Sequence, residues 1–483
     1  MKLKYLLPLL LLVTALRAAW VLTHEVAPAE AYYWMCSNRL AAGYFDGPAG
    51  TAFLVRAFGG NFEAARIFWP VLAFFGGCTA WLFARRMYDA DVAGWCVIFL
   101  NLLPAFNTAS VEVGPLMPAL VSVLTGLVFA RVAWDGRRWA WVGAGVFFGA
   151  ALLFRHEAIL VPAGLVAAAL SSVRHRTAED LLGLLSIVVC CVLALLPSLL
   201  WNASLEWIPV AGGTWKTAWE FRTGPFLQSL AGFAMEFSAA VLVAIVASLV
   251  FLARNARRHG RAVFILAACG PAWAWAFYTL LRGGDAVASG ILGVVPLAAF
   301  AIFSMRKNRL APAIGGSVAA VALVASGHAL WAGTRVSWKA VADQVRDSAR
   351  DLPASEGGGF IIAEDASRAA VLGYYLPGAG NYPPVFVPES PDLSSQFGLW
   401  PSYADFVEGD RVADEYFREQ KGVVREQMGV NPFVGRNALY LGHDLPQTIK
   451  GAFQDVRPLR QVATPDGREL TIYLCLGYQT LPL

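Results

Sequence analysis

Charge is scarce in this chain: of 483 residues only 15% are Asp, Glu, Lys or Arg, while 57% are hydrophobic. That balance excludes an ordinary soluble domain, in which about a quarter of residues are charged. The formal net charge of +4 is too small for the basic footprint of a nucleic-acid binder. Cysteine is also thin. The seven present, Cys36, Cys78, Cys96, Cys190, Cys191, Cys269 and Cys475, are odd in number, mostly sit in apolar runs and show no CxxC spacing. Neither a zinc site nor a disulfide framework follows, and they read as small buried hydrophobes. No internal repeat or low-complexity tract is visible, which counts against repeat-built transporter architectures. Beyond about residue 332, long apolar runs are missing altogether.

Before that point they are frequent. A membrane helix needs roughly 20 apolar residues to cross about 30 Å of hydrocarbon. Apolar runs suggest about eleven spans, near 5–23, 66–84, 92–109, 114–132, 139–154, 156–172, 180–201, 235–253, 262–281, 286–304 and 312–332. The fifth and sixth form one apolar stretch broken only by Arg155, His156 and Glu157, where a tight re-entrant turn is expected. The amino terminus resembles a signal sequence, but its length, Arg17 and the many spans that follow favour an uncleaved first helix.

Alternate loops carry the positive charge: Lys2 and Lys4; Arg85 and Arg86; Arg131, Arg137 and Arg138; Arg174 and Arg176; Arg254, Arg257, Arg258 and Arg261; Arg306, Lys307 and Arg309. Short basic loops stay in the cytoplasm. The amino terminus is therefore expected inside, and the long loops 24–65 and 202–234 outside. An odd number of spans carries the tail outside as well. The expected organisation is a membrane domain over 1–332 and a soluble extracytoplasmic α/β domain over 333–483. In that tail SWKAVADQVRDSARDL reads as an amphipathic helix, GFIIAE as a buried strand, DASRAAVLGYYL as a helix capped by Asp365, and ALYLG and LTIYLCLG as further strands.

One stretch fits neither a span nor a linker. AEAYYWMCSNRLAAGYFDGPAG, residues 29–50, places Glu30 and Asp46 among Tyr32, Tyr33 and Trp34 just outside the first span. A carboxylate at the interface is suited to take a proton from an acceptor hydroxyl, and a nearby cation to hold a lipid phosphate.

AEAYYW followed by GYFDGP resembles the first outer loop of the bacterial family 39 glycosyltransferases, C-type enzymes that include protein O-mannosyltransferases and aminoarabinose transferases. Those loops read Asp-Glu, AYYW, then GYFD-His-Pro-Pro. GAALLFRHEA is similar to a Gly-rich helix ending in Leu-Ser-Lys-Tyr, PSLLWNASLEW to a Pro-x-x-x-Trp-Asn segment, and SQFGLW to Gln-Phe-Asp-Leu-Trp. The resemblance covers nearly the whole chain. It implies a polytopic α-helical membrane protein of the C-type glycosyltransferase fold, multi-pass in the cell (inner) membrane, with its C-terminal domain periplasmic. The implied reaction is inverting transfer of a sugar from a polyprenyl-phosphate donor to a lipid, glycan or protein acceptor on the outer face.

The chain also departs from the family pattern. The first acid of the Asp-Glu pair, which the family uses as base, is Ala29, and Glu30 matches the second; Gly47 replaces the His, and Leu116 replaces an Asp after Pro115. An alternative follows, a member without catalysis that binds lipid phosphate or glycan in a surface-polysaccharide pathway. Some members of the superfamily use a divalent metal, which leaves metal dependence open here; no metal-ligating set is identified.

Each candidate carries two readings. Glu30 is a catalytic or acceptor-orienting acid, or a helix cap. Asp46 is its catalytic partner, or an Asx turn ahead of Gly47. Tyr32, Tyr33 and Trp34 are a sugar platform or an interfacial aromatic belt. Arg155 matches the family Lys that contacts lipid phosphate, or pairs with Glu157. His156 is a proton carrier or a hydrogen-bonded interface residue. Lys216 and Arg222 are substrate-binding cations or solvated loop residues. Phe397 and Trp400 are expected to pack on the core of the tail.

Overall fold

The computed structural model describes residues 3–172, 177–207, 223–237, 239–255, 260–305, 337–355, 358–376, 384–388, 395–403, 431, 433–465 and 467–479. The chain divides into two compact units. One comprises Met1–Thr23, Gly47–Pro197 and Trp219–Ala332; the other comprises His24–Asp46, Ser198–Ala218 and Gly333–Leu483.

The first unit is helical. Its elements are α1 (Leu3–Thr23), α3 (Gly50–Arg56), α4 (Phe62–Met87), α5 (Ala90–Leu102), α6 (Pro104–Val111), α7 (Leu116–Trp134), α8 (Ala140–Leu152), α9 (Leu160–Ser171), most of α10 (Ala178–Ser204), α11 (Thr223–Phe237), α12 (Ala239–Asn255), α13 (Gly260–Leu281), α14 (Val287–Leu292) and α15 (Val294–Met305). Helix α2 (Pro28–Asn38) belongs to the other unit. Where helices start, the sequence supplies the missing acceptors: Asn61 accepts from the Ala64 N–H, and Asp89 from those of Asp91 and Val92.

Among the described residues five helices are long and apolar enough to cross a bilayer, Leu6–Thr23, Phe62–Met87, Leu116–Trp134, Ala178–Ser204 and Arg261–Leu281, and counting each bent helix pair as a span gives up to seven. Shorter apolar helices at Ala140–Leu152, His156–Ser171 and Val294–Ser304 occupy stretches where further spans are expected. The expected span at 312–332 lies outside the described residues.

The third expected span is not straight. Helices α5 and α6 meet at an angle of 69°. Pro104 has no N–H with which to continue the ladder of α5, and it holds Leu103 in extended backbone (φ −71°, ψ 126°). Arg17 of α1, 7% exposed, spans the break: it donates to the side-chain oxygens of Asn101 and Asn107 at 3.0 and 2.5 Å and lies 5.2 Å from the Phe106 ring centroid. A cation within an apolar helix requires such partners.

Close packing of α8 on α10 depends on small residues. A Cβ at Gly145 would stand 3.0 Å from the Ser186 carbonyl oxygen and Ile187 Cα, and one at Gly149 2.8 Å from the Cys190 carbonyl oxygen. These glycines, one turn apart on one face, let the two backbones approach.

The second unit contains a five-stranded sheet in the order β4-β3-β5-β7-β6. Its strands are β3 (Phe360–Ala363), β4 (Val385–Phe386), β5 (Ala438–Gly442), β6 (Phe453–Ala463) and β7 (Glu469–Tyr478), while the two-residue strands β1 (Gly43–Tyr44) and β2 (Gly47–Pro48) flank the Phe45-Asp46 turn. Strand β3 runs parallel to β4 and β5, and β7 is antiparallel to β5 and β6. Every residue of β3 and β5 is buried, as expected of central strands covered on both faces. Phe360, Ile362, Tyr403, Tyr440, Cys475 and Tyr478 form much of the core.

Helices complete the unit. α16 (Trp338–Arg350) buries Val341, Ala342 and Val345, the apolar stripe visible in its sequence. α17 (Ala366–Tyr375) is capped by Asp365, which accepts from the Arg368 N–H at 2.9 Å, and α18 (Gln447–Ala452) leads into β6.

Candidate functional site

The stretch after α1 is not an irregular loop. Pro28 stands at the first turn of α2, where its missing N–H costs nothing, and Glu30 accepts a hydrogen bond from the Ala27 N–H at 3.0 Å. Glu30 is 1% exposed. Its carboxylate therefore does the work of a helix cap, the local one of its two readings.

From α2 the chain turns back through Gly43–Asp46. The Tyr44 hydroxyl lies 2.9 Å from the Cys36 carbonyl and 3.0 Å from that of Arg39, and it accepts from the Ala41 N–H at 3.2 Å. This clamp fixes the turn against the end of α2. Asp46 closes the unit's portion of the turn with an exposed side chain. Gly47 follows at φ 147°, a conformation costly for a residue with a Cβ.

Protein around Asp46 withdraws it partly from water and raises its carboxyl pKa, an effect that its interaction with the Tyr32 hydroxyl partly offsets. That hydroxyl is buried and has no aligned hydrogen-bond partner among the described residues. Burial first, with the negative Asp46 adding to it, drives the phenol well above its ordinary range. Asp46 and Tyr32 thus form a coupled pair: one open carboxylate that gains a proton more readily than usual, beside one neutral phenol. Tyr33 meets Tyr32 edge to face at 5.4 Å, and Trp34 meets Tyr374 at 5.1 Å.

The carboxy-terminal segment holds this turn. Gln396, 3% exposed, accepts from the Phe45 N–H at 2.8 Å, which joins the SQFGLW motif to the GYFD motif. The Val26 N–H donates to the Tyr375 hydroxyl at 2.8 Å, and Met35 packs on Gly373. Neither contact is signalled by local sequence. Phe397 is buried, but Trp400 is half-buried on the wall of a cleft instead of packing into the sheet core.

In the helical unit, Arg155 sits between α8 and a short 3-10 turn, His156–Ile159. It makes paired bonds to Glu157, Nε to Oε2 at 3.1 Å and Nη2 to Oε1 at 2.9 Å. His156 is exposed. Lys216 and Arg222 lie outside the described residues. Asn202, of a possible glycosylation sequon, is 6% exposed and donates its amide to the Ser198 carbonyl at 2.8 Å.

Among the described residues no group of three or more His, Cys, Asp or Glu side chains is arranged to hold a metal ion.

Residues 48–201 match the family model described as dolichyl-phosphate-mannose-protein mannosyltransferase. No curated protein sequence matches significantly. In fold, the chain is similar to the crystal structure of ArnT from Cupriavidus metallidurans in the apo state, with a TM-score of 0.58, 15% identity and 98% of each chain covered. It is equally similar to the same protein bound to undecaprenyl phosphate, with a TM-score of 0.58, 14% identity and the same coverage. A weaker likeness, at a TM-score of 0.49 and 12% identity, is to an Archaeoglobus fulgidus oligosaccharyltransferase tethered to an acceptor peptide, over 91% of this chain and 69% of that one. Residues 48–201 are thus similar to that family model, and along 98% of its length the chain shares the fold of ArnT.

Proposed function

We propose that this protein transfers one sugar from a polyprenyl-phosphate donor to an acceptor hydroxyl at the outer face of the cell membrane. The observation that carries the reading is Asp46: an exposed carboxylate of raised pKa, on a turn clamped by Tyr44 and Gln396. The similar fold of ArnT, whose structure with undecaprenyl phosphate is known, supports a lipid-phosphate donor.

In this mechanism Asp46 takes the proton of the acceptor hydroxyl. The acceptor oxygen forms a bond to the anomeric carbon as the bond from that carbon to the phosphate oxygen breaks, and polyprenyl phosphate leaves with the electron pair. One displacement inverts the anomeric centre. Phosphate binding is proposed separately for the helical unit, by Arg155 with Glu157 orienting the guanidinium through its paired bonds. Glu30 keeps α2 in place, and Tyr32 tunes Asp46. The periplasmic placement of the residue 333–483 domain, and roles for His156, Tyr33, Trp34, Lys216 and Arg222 in holding substrate, belong to the same proposal.

A second reading rests on Ala29 and on the engagement of Glu30 with the Ala27 N–H, which leave the family's acid pair without its first member. On that reading the protein binds lipid phosphate or glycan without turnover. Purified protein in detergent, supplied with polyprenyl-phosphate sugars and envelope acceptors, distinguishes the two. Turnover that falls about 100-fold or more in both Asp46→Asn and Arg155→Gln supports transfer. Donor binding without turnover supports the second reading, and wild-type turnover in both variants removes the assigned roles.

A further inference from the structure

The second unit contains a cleft of about 300 Å³, separate from the Asp46–Tyr32 pair, walled by α2, the end of α17, the edge strand β4 and the Phe397–Ser402 segment. This size is at the lower end of small-molecule sites, fit for one sugar ring with a substituent and not for a folded partner. Trp34, Phe397 and Trp400 supply aromatic surface, and Asn38 and Arg39 supply donors at the end of α2.

Arg39 is the informative group. Its side chain is exposed, its guanidinium lies 4.7 Å from the Trp400 ring centroid, and it makes no ion pair among the described residues. Stacking on indole holds a guanidinium in a fixed plane without consuming its N–H donors. Arg155 differs, since it is paired to Glu157. Partial burial also lowers the pKa of Arg39, as expected of a cation lacking a counter-charge.

We infer that this cleft binds an anionic saccharide, with the C–H faces of the sugar on Trp34 and Trp400 and its phosphate or carboxylate on Arg39. The aromatic walls select a ring with an apolar face, and the unpaired, planar cation selects an oxyanion able to take two parallel hydrogen bonds. The inference rests on the transfer reading for its biological meaning: the cleft holds the acceptor side, so that the acceptor class is a charged envelope glycan or glycolipid headgroup. Binding itself does not depend on that reading.

The experiment is donor-free. Wild-type protein in detergent is titrated by saturation-transfer NMR and calorimetry with glucosamine 1-phosphate, galacturonic acid, glucosamine and inorganic phosphate. The expected result is saturable binding of the two anionic sugars, at least tenfold weaker binding of glucosamine and of phosphate, and a tenfold or greater loss in Arg39→Met, which keeps the apolar stem over Trp400. Arg39→Lys should recover only part of the affinity, and both variants should melt with the wild type. Equal binding of charged and neutral sugars, phosphate alone binding as well as the sugars, an unaffected Arg39→Met, or no binding of any probe each overturns the inference. Anionic-sugar binding without any transfer activity would leave the cleft standing while the transfer reading fails. Transfer with an Arg39→Met acceptor KM equal to wild type would do the reverse.

Discussion

At the residue scale the structure separates two acids that the sequence presents alike. Glu30 and Asp46 both stand among aromatic residues outside α1, yet Glu30 is 1% exposed and caps α2, while Asp46 is exposed. Three residues separate Glu30 from the N–H it accepts, so its capping role was one of the two readings open from sequence. The coupling of Asp46 to Tyr32 spans 14 residues and depends on a turn whose path no local pattern gives. A pH profile tests the pair. A base must be deprotonated, so kcat/KM falls as pH drops through the folded pKa of Asp46, and that limb lies above the position of an ordinary aspartate, near pH 4. Because the Tyr32 hydroxyl lowers the Asp46 pKa, Tyr32→Phe should move the limb to still higher pH with the plateau rate nearly unchanged. A limb that stays in place shows that the phenol does not tune the acid.

At the element scale, legibility followed periodicity. The stripe of α16, the all-apolar β3 and the Asp365 cap of α17 are local patterns that tertiary structure did not override. Strand β6 carries Pro458 and the charged Asp455, Arg457 and Arg460, a pattern that does not signal a strand. It is an edge strand whose register shifts between Pro458 and Arg460, the setting in which proline and charge are tolerated. Helix α2 packs its aromatic face on α17, a partner more than 300 residues away that no local pattern signals. The α8–α10 seam provides an energetic test. Gly149→Val places a Cβ 2.8 Å from the Cys190 carbonyl oxygen, so the helices must separate, at a cost of about 1–3 kcal/mol. Gly270→Ala in α13, where a Cβ meets nothing within 4 Å, should be neutral or stabilising by a few tenths of a kcal/mol. Thermal unfolding in detergent compares them, and equal melting of the two variants would refute close packing at Gly149.

At the scale of the whole molecule, chain order and compact units do not coincide. The segment His24–Asp46 follows the first apolar helix but is built into the same unit as the tail, through Val26 on Tyr375 and Phe45 on Gln396. The GYFD and SQFGLW segments are thus halves of one contact, 351 residues apart. The physical role of Gln396 follows: a neutral side-chain carbonyl, 3% exposed, that satisfies the backbone of the turn bearing Asp46. Removing it in Gln396→Ala leaves the Phe45 N–H without its acceptor, a loss of about 1–3 kcal/mol in holding the turn. Gln396→Glu keeps an acceptor oxygen but buries a charge, so it should not restore the wild-type state at neutral pH. The expected outcome for Gln396→Ala is faster tryptic cleavage after the exposed Arg39, with the melting of the helical unit unchanged and kcat lower by about tenfold, since the base is displaced and not removed. If cleavage after Arg39 matches wild type while activity is lost, Gln396 acts in the chemistry itself and the tether is not its function.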